Sequence, residues 1–385
     1  MAESGLIGAR EACRRLGVKR ATLYSYVSRG KVRCVARGGR EKLYSAADVE
    51  RLALRSAARR GHAAVAVGAL RFGEPVLDSA ITSVHPELTY RGRSVAALLR
   101  DRVPYEKVAE HLWQADPVSP WPATDVPDPG DLPLVWRMVQ SLPPLALRDP
   151  SRHVSSPRAE LTRARGLLRA LGAALARQPT LHDRLAPSLA AHFGGLEHTD
   201  IVNAVLVACA DHELNVSTFA ARVAASSGAD LYACVGAALY AFTGPRHGAA
   251  GDRVEALVDA CRARGVRREV NARLARGESL PGFGHPLYPD GDPRTPPLLD
   301  LVRETAALPP RAAVLLEIVD CVERETGVGA TVDLGGVAVA LAMRGPAGLG
   351  SALFGLGRVA GWVAHTLEQR ARPELLRPRA RYVGR

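Results

Sequence analysis

The sequence predicts a mainly α-helical chain in two parts, a small basic N-terminal unit and a large helical body. At 385 residues, the chain is long enough for two or three domains and a large core. Apolar residues make up 47% of it and aromatic residues only 5%, which favours packed helices over β-architecture. Of the net charge of +12, residues 1–60 contribute +10, with 15 Lys and Arg against 5 Asp and Glu. The remaining residues hold 36 against 34, so the basic character belongs to one end of the chain.

The sequence shows none of the usual signals of secretion, membrane insertion or metal binding. Residues 1–5 are not a basic segment followed by an apolar core, so we expect no secretory signal. The longest apolar run, residues 334–343, is too short to span a bilayer. Six cysteines without metal-ligand spacing suit a reducing compartment: Cys13, Cys34, Cys209, Cys234, Cys261 and Cys321. We therefore predict a soluble, cytoplasmic protein.

Residues 6–56 have the pattern of a winged helix-turn-helix unit. Residues 9–16 predict a short amphipathic helix, Gly17 a turn and residues 18–27 a second helix. Residues 31–44 are rich in β-branched and basic residues around Gly38-Gly39, which indicates a hairpin. Ser45 is a candidate N-cap of a further helix.

This unit resembles the MerR-like DNA-binding domain, and residues 61–73 read as a linker to the body. The resemblance implies that three residues at the start of the second helix reach base edges: Lys19, Arg20 and Thr22. Three residues of the hairpin would contact phosphates: Arg37, Arg40 and Lys42. The alternative is a protein-docking module with a solvated basic face.

The body begins with short strands or turns at residues 81–84 and 88–92, followed by two helices that end at Trp113. Residues 116–133 hold six prolines and predict an exposed connection with little regular structure. Helices follow one another from there to the C-terminus. Ser156-Pro157 opens one of them as N-cap and first residue, with the apolar face Leu161, Ala164, Leu168, Leu171 and Leu175.

One loop of the body combines stiff backbone with polar side chains. Residues 281–294 read Pro-Gly-Phe-Gly-His-Pro-Leu-Tyr-Pro-Asp-Gly-Asp-Pro-Arg and contain four prolines and three glycines, so no helix or central strand can run through them. Such a loop can hold His285 and Arg294 in fixed places, although a surface connection rich in turn residues has the same composition.

A second group of polar residues interrupts two apolar helices at Asp211-His212-Glu213-Leu214-Asn215. His212 and Asn215, three residues apart, could present hydrogen-bond donors to one ligand. We interpret Asp211 and Glu213 as helix-capping or surface charges, and we expect Ser217 to cap the following helix.

Two further residues stand in unusual surroundings. His247 lies in a glycine-rich turn before a helix, where free backbone N–H groups and the positive end of the helix dipole favour a neutral imidazole. Asp333 lies alone in an apolar stretch, and burial there would raise its pKa, as a base that removes a proton from carbon requires.

Two arginines near the C-terminus, Arg358 and Arg377, suit carboxylates because a guanidinium can bind them through two hydrogen bonds. The Gly355-x-Gly357 sequence beside Arg358 does not predict a dinucleotide loop, since no strand precedes it and the glycine spacing is wrong.

Together these segments resemble the citrate synthase family, over residues 74–385. The matching motifs occur in order: His212…Asn215, Gly244-Pro245-x-His247-Gly248, the loop 281–294, Asp333, Gly357-Arg358-x-x-Gly361-Trp362-x-x-His365 and Arg377-Pro378-Arg379. The resemblance implies a citrate synthase-like, two-domain helical fold that works as a homodimer. The large domain would comprise about 74–252 and 339–385, and the small domain about 253–338.

The resemblance also implies catalytic roles for three residues. Asp333 would remove a proton from the methyl group of acetyl-CoA, and His247 would hold the thioester oxygen as the enol forms. His285 would polarise the oxaloacetate ketone and protonate it as the carbon–carbon bond closes. The citryl-CoA formed is then hydrolysed, with no metal or redox cofactor.

Oxaloacetate would be bound by His212, Asn215, Arg294 and Arg358, with Arg377 reaching in from the partner subunit. Three positions depart from the family pattern: Gly248-Ala249-Ala250-Gly251 follows His247, Leu334 follows Asp333, and the loop lacks a basic residue after His285. These changes concern the CoA contacts. The motifs do not separate citrate synthase from 2-methylcitrate synthase, which uses propionyl-CoA.

A second hypothesis comes from the basic N-terminal unit. The chain could be a transcriptional regulator whose synthase-like body senses oxaloacetate or an acyl-CoA. It predicts DNA binding that depends steeply on salt. The complete catalytic set favours the enzyme, because a pure sensor would not need Asp333, and both activities can coexist in one chain.

Overall fold

The chain divides into two compact units. The first holds the residues up to Asp78 together with the tail from Arg377, and the second runs from Ser79 to Leu376. The expected linker, residues 61–73, lies outside the described residues. The computed structural model describes residues 6–29, 31–37, 41–46, 48, 49, 77–118, 120–181, 184–285, 287, 288, 291–372, 374–378 and 382.

The first unit contains the predicted helix-turn-helix elements in the predicted order. Helix α1 (Ala9–Leu16) ends at Gly17, whose φ of 63° is the left-handed conformation that favours glycine, and α2 (Arg20–Ser28) follows. Strands β2 (Cys34–Arg37) and β3 (Glu41–Ser45) pair as an antiparallel hairpin. A strand that the sequence did not predict, β1 (Leu6–Gly8), pairs with β3 and gives the sheet order β1-β3-β2.

The basic residues of this unit lie on its surface where the structure describes them. Lys19, Arg20 and Thr22 are exposed at the start of α2, and Lys42 is exposed on β3. The Lys42 ammonium lies 5.8 Å from the ring centroid of Tyr24, which joins the hairpin to α2 by a cation–π contact. Arg40 and the side chain of Arg37 lie outside the described residues. Beneath this surface is a small core: Ala12, Leu16, Leu23, Val32, Tyr44 and Val49.

The second unit begins as predicted. Three short strands form a sheet in chain order, β4 (Thr82–Ser83), β5 (Thr89–Tyr90) and β6 (Arg93–Ser94). Two helices follow, α3 (Val95–Arg100) and α4 (Tyr105–Trp113). The described residues of the 116–133 connection form no helix or strand.

Helices make up the rest of the second unit, which confirms the mainly α-helical prediction. Ser156 caps α6 by accepting from the N–H of Ala159, as predicted. Among the described residues, no helix combines the length and apolar character that crossing a membrane requires. The helices are α5 (Leu134–Arg148), α6 (Pro157–Leu175), α7 (Leu185–Phe193), α8 (Thr199–Ala208), α9 (Val216–Ser226), α10 (Leu231–Phe242), α11 (Ala250–Arg264), α12 (Val266–Ala275), α13 (Thr295–Arg303), α14 (Pro310–Thr326), α15 (Val332–Ala342) and α16 (Leu349–Arg370).

Helix α16 is the central element of the second unit and packs on α8, α9 and α10. Two of its glycines let it approach the end of α8 closely. A Cβ on Gly357 would lie 2.8 Å from the carbonyl oxygen of Leu206, and one on Gly361 would lie 2.5 Å from that of Ala210. Gly357 and Gly361 therefore allow close helix packing, which brings Arg358 against the end of α8.

Candidate active site

The break between α8 and α9 contains the first group of predicted site residues. Helix α8 ends at Ala208 and α9 begins at Val216, as the apolar pattern predicts. His212 is buried, with 8% of its surface exposed. Glu213 is exposed, as expected of a surface charge. Asp211 is fully buried, so its interpretation as a capping or surface charge is wrong.

Asp211 is held by polar side chains from distant parts of the chain. The Thr82 hydroxyl donates to Asp211 Oδ2 at 2.5 Å, and His365 Nε2 lies 3.2 Å from the same oxygen. Arg222 donates to His365 Nδ1 at 2.9 Å, so His365 donates to Asp211 from Nε2. Burial raises the pKa of Asp211, but the contacts with His365 and Thr82 hold it below its usual value. A charged, hydrogen-bonded carboxylate thus fixes the backbone of the break.

Asn215, and not Ser217, caps α9. Asn215 Oδ1 accepts from the N–H of Thr218 at 3.0 Å. The prediction that Ser217 is the cap is wrong because Ser217 lies inside the helix, and its hydroxyl contacts other side chains. That hydroxyl lies 2.7 Å from Asn215 Oδ1 and 2.7 Å from His247 Nε2. The structure therefore connects Asn215 to His247 through Ser217.

His247 lies in the turn between α10 and α11. Its ring meets the ring of Phe242 edge to face, with centroids 5.2 Å apart. Burial and the nearby Arg358 guanidinium lower the pKa of His247 to about 4. The imidazole is therefore neutral at pH 7, as the turn sequence predicts.

We expect the free energy of unfolding to fall as the pH is lowered from 7 to 5. In the unfolded chain a histidine has a pKa of about 6.5, whereas the folded protein lowers that of His247 to about 4. Between these values the unfolded chain binds more protons, so the stabilisation present at neutral pH is lost as the pH falls. Thermal unfolding at a series of pH values measures this dependence. The free energy of unfolding will fall less steeply with decreasing pH in His247→Gln than in His153→Gln, a control at an exposed histidine. Equal slopes for the two variants would contradict the prediction.

The loop of residues 281–294 is joined to the segment that precedes α15. The N–H of Gly284 donates to the carbonyl of Gly329 at 3.1 Å, and the N–H of Thr331 donates to that of Gly282 at 2.8 Å. Gly282 and Gly284 have φ values of 84° and 74°, which favour glycine. The described residues of the loop are thus tied to the segment that leads into α15.

Two rings of this loop, His285 and Tyr288, lie close to the ring of His212. The ring centroids of His285 and Tyr288 lie 5.4 Å apart, those of His212 and Tyr288 5.5 Å, and those of His212 and His285 6.0 Å. His212 Nε2 lies 2.6 Å from the Tyr288 hydroxyl. The N–H of Leu287 donates to His285 Nδ1 at 3.2 Å, so neutral His285 carries its hydrogen on Nε2 and can donate it.

Arg294 is held at the end of the same loop by Asp292. Arg294 donates to the carboxylate from Nε at 2.9 Å and from Nη2 at 2.6 Å, and both residues are almost fully buried. Among the described residues, its Nη1 has no hydrogen-bond partner. A buried guanidinium with one side paired and one nitrogen unused can bind an anionic group.

Asp333 lies in the first turn of α15, directly after the segment that holds the loop. Thr331 Oγ1 donates to Asp333 Oδ2 at 3.4 Å. Burial raises the pKa of Asp333, and this effect exceeds the opposing attraction of the Arg294 guanidinium. The predicted rise in pKa is confirmed, and the carboxylate is suited to accept a proton.

Arg358 lies on α16 with 1% of its surface exposed. Its Nε donates to the carbonyl oxygen of Cys209 at 2.6 Å, and its guanidinium carbon lies 4.9 Å from the ring centroid of Phe354. Burial lowers the pKa of Arg358, and the charge of Asp211 opposes this. The guanidinium remains a cation whose orientation is fixed by a carbonyl and an aromatic ring.

These side chains lie close enough to act on one another electrostatically. Burial, Arg294 and Arg358 each lower the pKa of His212. Burial also lowers the pKa of His285, where Asp292 and Asp333 favour the proton and Arg294 disfavours it. The structure thus gathers most of the predicted residues into one cluster of neutral imidazoles, cations and a carboxylate: His212, His247, His285, Arg294, Asp333 and Arg358.

Arg377 is exposed in the C-terminal tail, and its predicted approach from a partner subunit stays a prediction. Tyr288 and Ser217 contact the cluster but were not predicted as site residues. Two sequence features could have indicated them: Tyr288 lies three residues after His285 in the loop, and Ser217 carries a hydroxyl group two residues after Asn215. Within the described part of the chain, no group of His, Cys, Asp or Glu side chains could hold a metal ion.

Comparison with known proteins identifies both parts of the chain. The family model for the C-terminal domain of citrate synthase matches residues 153–379, and a helix-turn-helix domain model matches residues 6–56. The putative citrate synthase 2 of Mycobacterium tuberculosis is 39% identical over 193 residues, which cover 49% of this chain and 52% of that protein. The 2-methylcitrate synthase of Shewanella oneidensis is 34% identical over 193 residues, 49% of this chain and 51% of that protein.

The alignments span about half the length of these curated relatives. Solved structures are similar over more of the chain. The citrate synthase of Thermoplasma acidophilum, in complex with carboxymethyl coenzyme A and oxaloacetate, superposes with a TM-score of 0.69 at 22% identity, covering 80% of this chain and 94% of that one. This likeness establishes the fold. Since the family model matches more than half of the chain, the protein belongs to the citrate synthase family and carries an N-terminal helix-turn-helix domain.

Proposed function

We propose that the protein condenses acetyl-CoA with oxaloacetate and hydrolyses the citryl-CoA formed to citrate and CoA. The observation that carries this proposal is that the cluster combines Asp333, whose pKa is raised, with imidazoles whose pKa values are lowered and with two buried guanidinium groups. A base of raised pKa and neutral hydrogen-bond donors are the groups needed to enolise a thioester at neutral pH.

In the proposed reaction, Asp333 accepts a proton from the methyl group of acetyl-CoA. His247 donates a hydrogen bond to the thioester oxygen, on which negative charge develops. The methyl carbon then attacks the ketone carbon of oxaloacetate, and the ketone oxygen takes a proton from His285 Nε2 to become a hydroxyl group. The proton that Asp333 accepted then returns to the His285 imidazole through solvent, which restores both groups. Water attacks the thioester of citryl-CoA, the CoA thiol leaves and citrate is released.

Oxaloacetate carries two carboxylates, which require cations. Arg294 offers its unused Nη1 and Arg358 its guanidinium, and the buried setting strengthens both attractions. His212 and Asn215 complete the proposed pocket on the side of α9.

The proposed assembly is a homodimer in which Arg377 of one subunit reaches the site of the other. In support, α5 and α10 expose aromatic surface at Trp136 and Tyr240, whose rings contact each other with centroids 6.0 Å apart.

The test of this function is a CoA-release assay with oxaloacetate and either acetyl-CoA or propionyl-CoA. We expect release of CoA with acetyl-CoA and formation of citrate, because the proposed groups act on the thioester and its α-carbon. A higher kcat/KM with propionyl-CoA would assign the 2-methylcitrate synthase activity instead. A folded protein without activity on either thioester would overturn the proposed enzyme.

A second candidate function is DNA binding by the first unit, and the exposed Lys19, Arg20 and Lys42 support it. We expect binding to duplex DNA to weaken steeply with salt, because each phosphate contact releases a counterion. Lys42→Gln will reduce the slope of log K against log salt by about 1, because Lys42 is the described member of the predicted phosphate contacts. Arg14→Gln is the matched control, since Arg14 is already paired with Glu11 at 2.6 Å. Equal slopes for both variants and the unmodified protein, in fluorescence anisotropy with random-sequence duplex DNA, would contradict the proposal.

A further inference from the structure

Tyr288 connects the rigid loop to the break between α8 and α9. Its side chain is 8% exposed, and its hydroxyl lies 2.6 Å from His212 Nε2. Its backbone N–H donates to the carbonyl of His285 at 2.9 Å, and its ring packs against the ring of His285. The guanidinium carbon of Arg294 lies 6.0 Å from its ring centroid. Tyr288 therefore touches three residues of the proposed oxaloacetate site.

The contact with Tyr288 fixes the hydrogen of His212. Burial and two nearby guanidinium groups keep His212 neutral by lowering its pKa, so one ring nitrogen carries a hydrogen and the other does not. Burial raises the pKa of Tyr288, so the phenol keeps its proton. Within the described residues, His212 Nε2 is the hydrogen-bond partner of that hydroxyl, and a buried hydroxyl needs an acceptor. With the hydroxyl as donor to Nε2, the imidazole hydrogen lies on Nδ1.

We propose that Tyr288 is a positioning residue, which orients His212 and selects its Nδ1–H form as the donor to oxaloacetate. This inference rests on the proposed function for its kinetic consequence. A neutral imidazole can rotate and can carry its hydrogen on either nitrogen. The hydroxyl removes both freedoms before the ligand arrives, so binding does not have to order the ring. Tyr288 itself is held by its backbone hydrogen bond and by two neighbouring side chains.

The experiment is the Tyr288→Phe variant, which keeps the ring and removes the hydroxyl. We expect the KM for oxaloacetate to rise about tenfold, in line with the loss of one buried hydrogen bond. The KM for acetyl-CoA and kcat will each stay within about threefold, because the reacting groups are untouched. Tyr232→Phe is the matched control, since Tyr232 also donates to a side chain, Asp149 at 3.1 Å. It will leave all three constants unchanged.

A second readout does not depend on activity. Nitrogen-15 NMR of protein labelled at histidine distinguishes Nδ1–H from Nε2–H imidazole, with the His212 signals assigned by their loss in His212→Asn. We expect the Nδ1–H form in the unmodified protein and a mixture of both forms in Tyr288→Phe. An Nε2–H form in the unmodified protein would overturn the inference, as would an unchanged or lower KM for oxaloacetate in Tyr288→Phe. If the unmodified protein shows no condensation, the proposed function fails, and the NMR result alone decides the role of Tyr288.

Discussion

Replacing Asp333 with asparagine will lower kcat for CoA release from acetyl-CoA and oxaloacetate by about 10³-fold or more. General base catalysis contributes roughly 10² to 10⁴ in rate, and the amide cannot accept the methyl proton. Burial raises the pKa of this carboxylate, so it binds a proton more readily than an exposed aspartate does. Asparagine has almost the same shape, so substrate binding will change little and the loss will appear in kcat.

The control is Asp259→Asn, at an exposed aspartate of α11 that pairs with Arg311 at 3.0 Å. It will keep full activity. Exchange of the acetyl-CoA methyl protons with deuterated solvent, measured by NMR in the presence of an oxaloacetate analogue, isolates the proton-transfer step. Asp333→Asn will abolish this exchange. Persistent exchange in a variant that has lost condensation would assign the base to another residue.

Replacing His247 with phenylalanine will lower kcat by about 10² to 10³-fold and leave the KM for oxaloacetate nearly unchanged. Loss of one preorganised donor to a developing oxyanion costs about that much in rate. The ring packs on Phe242 with centroids 5.2 Å apart, so an aromatic replacement keeps the packing and removes the donor. The pKa of about 4 also means that no protonation of His247 contributes to activity between pH 6 and 8.

The pH profile gives an independent check on His247. In the unmodified protein, kcat will show no inflection from this residue near pH 6.5, the usual pKa of histidine. Ser217→Ala, which removes the hydroxyl 2.7 Å from Nε2, will lower kcat less than His247→Phe because the donor itself remains. A larger loss in Ser217→Ala than in His247→Phe would contradict the role given to the imidazole.

Much of the fold and part of the site could be predicted because they depend on local sequence. The helix break at His212 and the cap at Ser156 are set by residues within a few positions of one another, and the structure agrees with both. The helix-turn-helix elements are equally local. The raised pKa of Asp333 followed from its apolar surroundings alone.

The parts that could not be predicted depend on contacts between distant segments. Asp211 reads as a surface charge in sequence, but Thr82 and His365 lie 129 and 154 residues away along the chain. Tyr288 contacts His212 across 76 residues. Strand β1 was missed because three residues carry too little pattern until β3 pairs with them. In each case the structure of a polar residue or short segment depends on a contact with a residue distant in sequence, which the local sequence pattern does not indicate.

The joining of the loop to the segment before α15 has a mechanical consequence. Two backbone hydrogen bonds, at Gly284 and Thr331, tie the chain that carries His285 to the chain that carries Asp333. The main-chain spacing between these two residues is therefore set by the fold, and the Tyr288 hydroxyl joins the same loop to His212. Loss of either hydrogen bond would alter the spacing between the proposed proton acceptor and the proposed proton donor, although neither bond involves their side chains.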